Sequence, residues 1–346
     1  MNDTTPGQQA GALEQQGPTP ERIFQTFTAY QQTAALKAAV ELDLFTAIGE
    51  GAATPASLAE RTGAAERGLR ILCDYLTIAR FLSKEDGRYQ LTPESAAFLD
   101  RRSPAYIGGM SGFLAGAELK GAFERLTESV RKGSTVMDAQ GSMTPEHPMW
   151  EEFARSMASL MRMPAEQIAA TVGASEMETC KVLDIAAGHG VFGVTIARHN
   201  PRAEVYAVDW ANVLPYARQE AERAGVGERF HEIPGDAFEV EFGEGYDLVL
   251  ITNFFHHFDR ETCERLIRKV RAALKEGGRA VTLDFVPDEG RTTPPDAASF
   301  ALIMLGTTER GDAYTFAEYE RMFRAAGFGA SEIVPCPPGH IIVTRK

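Results

Sequence analysis

Residues 182–193 read Val182-Leu183-Asp184-Ile185-Ala186-Ala187-Gly188-His189-Gly190-Val191-Phe192-Gly193, and this stretch decides the fold. Its first half is a short apolar run suited to a buried strand, and Val191 to His199 continues at helical spacing. Between them Gly188, Gly190 and Gly193 form a G-x-G-x-x-G loop. Asp209 closes the next strand about twenty residues on, so the pattern alone is the fingerprint of a dinucleotide-binding fold. Outward from the loop the alternation continues. AEVYAVD, YDLVLITNF and RAVTLDFV read as strands, and VLPYARQEAERAG, ETCERLIRKVRAALK and FAEYERMFRAAG as helices, the second of them ending at Gly277-Gly278. Such alternation predicts an α/β fold, a mostly parallel sheet covered on both faces. SEIVPC and HIIVTRK, joined by a short link, predict a closing antiparallel pair.

Three acids turn the loop away from a pyrophosphate. Asp184 lies inside the strand, four residues before Gly188. S-adenosylmethionine carries an ammonium, a sulfonium and a carboxylate but no pyrophosphate, so an acid beside the loop suits its cationic end. Asp236, in Gly235-Asp236-Ala237-Phe238, suits an adenine amino group, with Phe238 beside the ring. A turn or helix cap would also account for Asp236 taken singly. Asp209 is left for the ribose hydroxyls. All three fall at strand ends, where open α/β sheets bind ligands.

The fourth strand of the alternation runs out in Asn253-Phe254-Phe255-His256-His257-Phe258-Asp259. Histidines at a ligand-binding edge suit proton transfer near neutral pH. Asp284, near the end of the fifth strand, is the candidate to orient such an imidazole. A metal site is not expected, because adjacent side chains of a strand point opposite ways.

Composition narrows the function class. The 346 residues are 44% hydrophobic and 24% charged, as in an ordinary globular chain of two or three domains. A net charge of −13 opposes a nucleic-acid partner, and no apolar run is long enough to span a bilayer. The four cysteines have no CxxC spacing, which suits a reducing cytoplasm. Residues 1–20, rich in Gln, Gly, Pro and Thr, are expected to be a disordered tail. In residues 21–102 an apolar helical face runs from Ile23 through Phe27, Tyr30 and Val40 to Ile48. Thr54-Pro55 then opens a short helix, a second runs from about Ala65 to Ala79, and FLSKEDGRYQLT folds back at Asp86-Gly87. This is a winged helix. Residues 53–102 hold eight Lys/Arg against seven Asp/Glu, a balance that favours dimerisation over DNA binding. Residues 103–175 are helical and rich in methionine. Phe153, Met157, Leu160 and Met161 share one face, fit for core packing or for an adaptable wall around an apolar ligand.

The segments FLDRRSP, VLDIAAGHG, AVDW, GDAF, FHHF and YTFAEYERMFRAAGF together resemble the small-molecule O-methyltransferases with an N-terminal winged-helix dimerisation domain. Plant phenolic, acetylserotonin and bacterial polyketide methyltransferases make up that family. The resemblance covers about Pro20 to Lys346. It implies a class I Rossmann-like methyltransferase domain over 176–346, with a mostly parallel seven-stranded sheet and an antiparallel last strand. A dimerisation domain (21–102) and pocket helices (103–175) would precede it. It implies a homodimer, and S-adenosylmethionine held by Asp184, Gly188, Gly190, Asp209, Trp210, Asp236, Ala237, Phe238 and Asn253, with no metal. Met110, Phe113, Phe153, Met157, Met161, Phe300, Met304 and Tyr314 are the candidate liners of the acceptor pocket.

His256 falls on the family's catalytic base, His257 where the family carries Asp, and Asp284 on an acid flanking the base. A second flanking Glu is replaced by Ala313, within Gly311-Asp312-Ala313-Tyr314-Thr315. That departure keeps two acceptor atoms open, a hydroxyl oxygen or an electron-rich carbon. An NAD-dependent oxidoreductase and a non-catalytic, S-adenosylmethionine-sensing DNA-binding regulator are the remaining alternatives.

Overall fold

A computed structural model describes residues 18–137, 142, 144–178 and 180–346, so the expected tail lies outside it as far as residue 17. The chain forms two compact units, one ending at Pro104 and the other spanning Ala105–Lys346.

The first unit holds helices α1 (Glu21–Glu41), α2 (Leu44–Gly49), α3 (Pro55–Thr62), α4 (Glu66–Ile78) and α5 (Pro93–Phe98) and a hairpin of β1 (Leu82–Glu85) and β2 (Arg88–Leu91). The apolar face read as continuous from Ile23 to Ile48 is broken at Asp43, whose left-handed backbone (φ 54°) separates α1 from α2. Thr54 caps α3. Its hydroxyl accepts from the Ser57 N–H while the Ser57 hydroxyl accepts from the Thr54 N–H. Asp86 and Gly87 both have positive φ (46° and 75°), as a two-residue hairpin turn requires. Leu44, Phe45, Leu58, Leu69, Leu76 and Tyr89 fill the core of this winged helix. The start of α1 instead leaves Ile23, Phe24, Phe27 and Tyr30 exposed, Phe27 by 76%.

In the second unit α6 (Ser111–Leu114), α7 (Ala117–Glu124), α8 (Leu126–Lys132) and α9 (Pro148–Val172) precede the sheet. Its strands are β3 (Cys180–Ile185), β4 (Ala203–Asp209), β5 (Phe230–Pro234), β6 (Tyr246–Thr252), β7 (Leu274–Asp284), β8 (Ser331–Cys336) and β9 (Gly339–Arg345). Helices α10 (Val191–His199), α11 (Leu214–Arg223), α12 (Arg260–Ala273), α13 (Pro295–Thr307) and α14 (Phe316–Ala325) connect them. The order is β5-β4-β3-β6-β7-β9-β8, parallel from β5 to β7 with β9 antiparallel to both its neighbours. The last strand is therefore not at the edge. Ile341 and Ile342 of β9 are fully buried, which an interior strand demands, while β8 takes the half-exposed edge.

Two boundaries differ from the sequence reading. Helix α12 stops at Ala273 rather than at Gly277-Gly278, because Leu274 pairs with Tyr246 of β6 and starts β7. The segment expected as separate pocket helices belongs to the same compact unit as the sheet. Met157, Met161 and Ile168 of α9 share one core with Val182, Val194 and Leu248. No described helix is long and apolar enough to cross a membrane.

Candidate active site

From β3 the sheet grows one way through β4 and the other way through β6, so the strand order reverses there and leaves a crevice at the carboxyl ends. Ala186 and Asn253, just past β3 and β6, both have φ of 53°, in the left-handed region that non-glycine residues rarely occupy. Such turns cost about 1–3 kcal/mol each and gather at functional sites.

The glycines of the loop are dictated by close approach. A Cβ on Gly190 (φ 72°) would lie 2.9 Å from Cα of Ala217 on α11. One on Gly193 would lie 2.7 Å from Cγ1 of Val205 and 2.9 Å from Oδ2 of Asp184, so α10 could not rest on the sheet. The Gly193 N–H donates to that Oδ2 (3.0 Å), which ties the first turn of α10 to β3. Oδ1 of Asp184 is buried without a partner. Burial pushes Asp184 up to about 7 and Asp209 up to about 6.

Two cavities meet over the strand ends. The polar one is lined by Asp209, Trp210, Asp236, Ala237, Phe238 and Arg265. Asp209 accepts from the Gly188 N–H through Oδ2 and from the Trp210 N–H through Oδ1, both at 2.7 Å. Asp236 accepts from the Phe238 N–H (2.8 Å), so it fixes a turn and lines the cavity at once. The Arg265 guanidinium lies 5.0 Å from the centre of the Phe238 ring. The second cavity is apolar. Met149, Phe153, Met157 and Met161 stand one helical turn apart along α9, with Phe113 beside them and Phe300 and Met304 contributed by α13. Gly188, Asn253 and His256 complete its rim, and Asp209, Trp210 and His257 line both cavities.

Five expected site residues lie outside both linings, among them Asp284, which is described below with His256. Asp184 and Gly190 sit beneath the loop as described. Met110 packs against the core of α9 and the sheet. Tyr314 is buried, with its hydroxyl donating to the Phe258 carbonyl oxygen. Conversely, Trp150, His189, Phe285 and Ile303 line the apolar cavity without having been singled out. Trp150 was legible, since it shares the helical face of Phe153 and Met157.

Neighbouring strands β6 and β7 bring together two residues 28 apart. Nδ1 of His256 lies 2.6 Å from Oδ1 of Asp284, and the pair is 3% and 1% exposed. The Phe285 N–H donates to the same Oδ1 (2.8 Å), and the Tyr319 hydroxyl of α14 donates to Oδ2 (2.8 Å). Ala313 is buried nearby and brings no acid, while the Asp312 N–H next to it donates to the His256 carbonyl oxygen (2.9 Å). Phe255–His257 form a 3₁₀ turn rather than the end of a strand. The two histidines therefore do not point to opposite faces; their rings lie 4.2 Å apart and both line the apolar cavity. Burial, and then His256, hold His257 well below the ordinary imidazole range. Among the described residues no group of three or more His, Cys, Asp or Glu is placed to hold a metal ion.

The residues fit the expected cofactor. Asp209 is held open-handed by two backbone donors, a carboxylate and an aromatic ring share the polar cavity, and the orphaned Asp184 oxygen lies under the loop. The comparisons agree. Residues 124–329 match the O-methyltransferase domain and residues 24–101 the O-methyltransferase dimerisation domain. The chain is 30% identical over 312 residues, 89% of each chain, to 3-hydroxy-5-methyl-1-naphthoate 3-O-methyltransferase of Streptomyces sahachiroi. It is 29% identical to L-tyrosine C(3)-methyltransferase of Streptomyces lavendulae, over 85% of this chain and 82% of the relative. A solved structure from Nostoc punctiforme PCC 73102, described as a candidate O-methyltransferase, is 49% identical with a TM-score of 0.92 over 95% of this chain and all of its own. The chain belongs to the O-methyltransferase family, whose members take their methyl group from S-adenosylmethionine.

Proposed function

We propose that the protein moves a methyl group from S-adenosylmethionine to a hydroxyl of a small, flat, largely apolar acceptor, with His256 as general base. One observation carries this reading, the His256 imidazole on the wall of an aromatic and methionine-lined cavity with its Nδ1 held 2.6 Å from buried Asp284. With Nδ1–H donating to Asp284, the Nε2 lone pair is left to take the hydroxyl proton. Asp284 then balances the imidazolium charge, while Tyr319 and the Phe285 amide keep its carboxylate in place. In the polar cavity Asp209 would hold the ribose hydroxyls, and Asp236 with Phe238 the adenine. The Gly188 loop, Asp184, Trp210 and Asn253 would surround the methionine end. When bound, S-adenosylmethionine supplies the methyl as an electrophile on its sulfonium. The acceptor would lie between the α9 methionines and Phe300 and Met304 of α13, dry enough to keep water from competing. The α1 face of Ile23, Phe24, Phe27 and Tyr30 supports a homodimer through the N-terminal domain, and four free, buried cysteines suit a cytoplasmic setting.

A second reading, carbon methylation, is favoured by Ala313 in place of an acid and by the C-methyltransferase among the relatives. The same base would serve, since removing a phenolic proton enriches the ring carbons beside it. The test is His256→Ala assayed on a panel of hydroxynaphthalenes, with S-adenosylhomocysteine affinity measured by calorimetry. Turnover should fall by about 10²–10⁴ while that affinity stays within about twofold. Unchanged turnover removes His256 from the base role. A methoxy signal in the product NMR identifies oxygen as the acceptor atom, and a ring-bound methyl identifies carbon.

A further inference from the structure

The histidine inside the glycine loop has no part in the scheme above. The Val191 N–H donates to Nδ1 of His189 (3.2 Å), so that nitrogen keeps its lone pair and the neutral ring carries its proton on Nε2. Burial pushes His189 down to about 3, and the ring is neutral near physiological pH. Its Nε2 is buried without a partner, and the residue is 3% exposed. It lines the apolar cavity and not the polar one. Unpaired buried N–H groups are rare in protein interiors, because such a donor gives up water and gains nothing in exchange.

The placement of this donor says what it could meet. The His189 ring stacks on Phe153 (5.9 Å, 18° between planes), which meets Trp150 at 6.0 Å; Trp150 meets His257 at 5.2 Å, and His257 meets His256 at 4.2 Å. Donor and base therefore belong to one continuous aromatic wall. We infer that His189 Nε2–H binds an uncharged, carbonyl-type oxygen of the methyl acceptor, which makes hydroxyarenes bearing a second, carbonyl oxygen the preferred substrates. The inference rests on the methyltransferase reading and narrows its substrate class. A neutral oxygen suits this place better than an anion, because Phe153 and Phe192 rings flank the donor and the cation that acts on it, Arg162, is already paired with Glu220 (2.9 Å). The carboxylate of the methyl donor offers the same accepting atoms, so the test separates the two.

The full-length protein, saturated with S-adenosylhomocysteine, is titrated calorimetrically with 2-hydroxyanthraquinone and with 2-hydroxyanthracene, which differ only in the quinone carbonyls. The unaltered protein should prefer the quinone by about fivefold to tenfold, the worth of one net hydrogen bond. His189→Phe keeps a flat ring against Phe153, and His189→Asn keeps a side-chain acceptor for the Val191 N–H. Both should lose the preference while S-adenosylhomocysteine affinity stays within about twofold. In protein labelled with ¹⁵N-histidine, the Nε2 proton of His189 should move on adding the quinone and stay put with the anthracene. Absence of a preference in the unaltered protein, or a preference that survives both substitutions, overturns the inference. So does a loss of S-adenosylhomocysteine affinity in both variants with the preference intact, which would assign His189 to the donor's carboxylate. If the unaltered protein bound no S-adenosylhomocysteine, the methyltransferase reading itself would fall; intact binding without a preference sinks the inference alone.

Discussion

Asp284 shows how much of a buried carboxylate's setting is fixed by atoms far away in the chain. One of its oxygens faces His256 and the other takes the hydroxyl of Tyr319, 35 residues on. Burial keeps that phenol protonated, well above the ordinary tyrosine range, so it acts as a fixed donor. Tyr319→Phe strips Oδ2 of its partner. The expected cost is about 1–3 kcal/mol of stability, with kcat down roughly tenfold, KM unchanged and the acid limb of the pH–kcat profile moved to higher pH. An unaltered kcat and profile would reduce Tyr319 to packing. The second residue-scale prediction concerns Asp184. Its carboxyl is ordinary in the unfolded chain and raised to about 7 when folded, so the ligand-free native state holds that proton longer. The stability it contributes is whole below about pH 4 and is lost as pH rises through 7. In ligand-free protein the stability of wild type relative to Asp184→Asn should therefore fall between pH 5 and pH 8, by about 1–3 kcal/mol. Parallel melting curves across that range would mean that no charge is being buried there. The acids at the strand ends were legible because each stands in its own local motif. Tyr319 was not, because only the packing of α14 carries it to β7.

At the scale of elements, the glycine loop lets α10 rest closely on the sheet, most tightly at Gly193. Gly193→Ala puts a methyl against Val205 and Asp184 where the spacing leaves no room. Alanine favours a helix over glycine by about 0.5–1 kcal/mol, but overpacking costs about 1–3 kcal/mol. We expect a net loss in urea denaturation and weaker S-adenosylhomocysteine binding as α10 lifts; a gain in stability would show that the helix can shift freely. Strand and helix periodicity found β3, β4, β6 to β9, α10 to α12 and α14, took 103–175 as helical without dividing it, and gave no reading for α13. One boundary was missed where pairing overrode a local signal: Leu274 leaves the α12 pattern to pair with Tyr246. The closing antiparallel pair formed as read, with β9 buried between β7 and β8.

For the molecule as a whole, the exposed start of α1 is the feature that a single chain leaves unexplained. Phe24 and Phe27 are 67% and 76% exposed within an otherwise ordinary winged helix. Phe27→Glu should weaken self-association at least about tenfold, as loss of a buried aromatic anchor does, and sedimentation velocity should show a monomer at low concentration. An unchanged sedimentation coefficient would move the dimer contact elsewhere. The sequence by itself determined the strand–helix alternation, the glycine loop, the three acids at strand ends and the winged helix, because each is written in neighbouring residues at the period of the local backbone. Only the tertiary structure decided that Nδ1 of His256 comes within 2.6 Å of Asp284, that Tyr319 occupies the carboxylate's other oxygen, and that α9 and α13 wall the apolar cavity. Those outcomes depend on strand order and on which groups lose their water, and both exist only once distant segments have packed together.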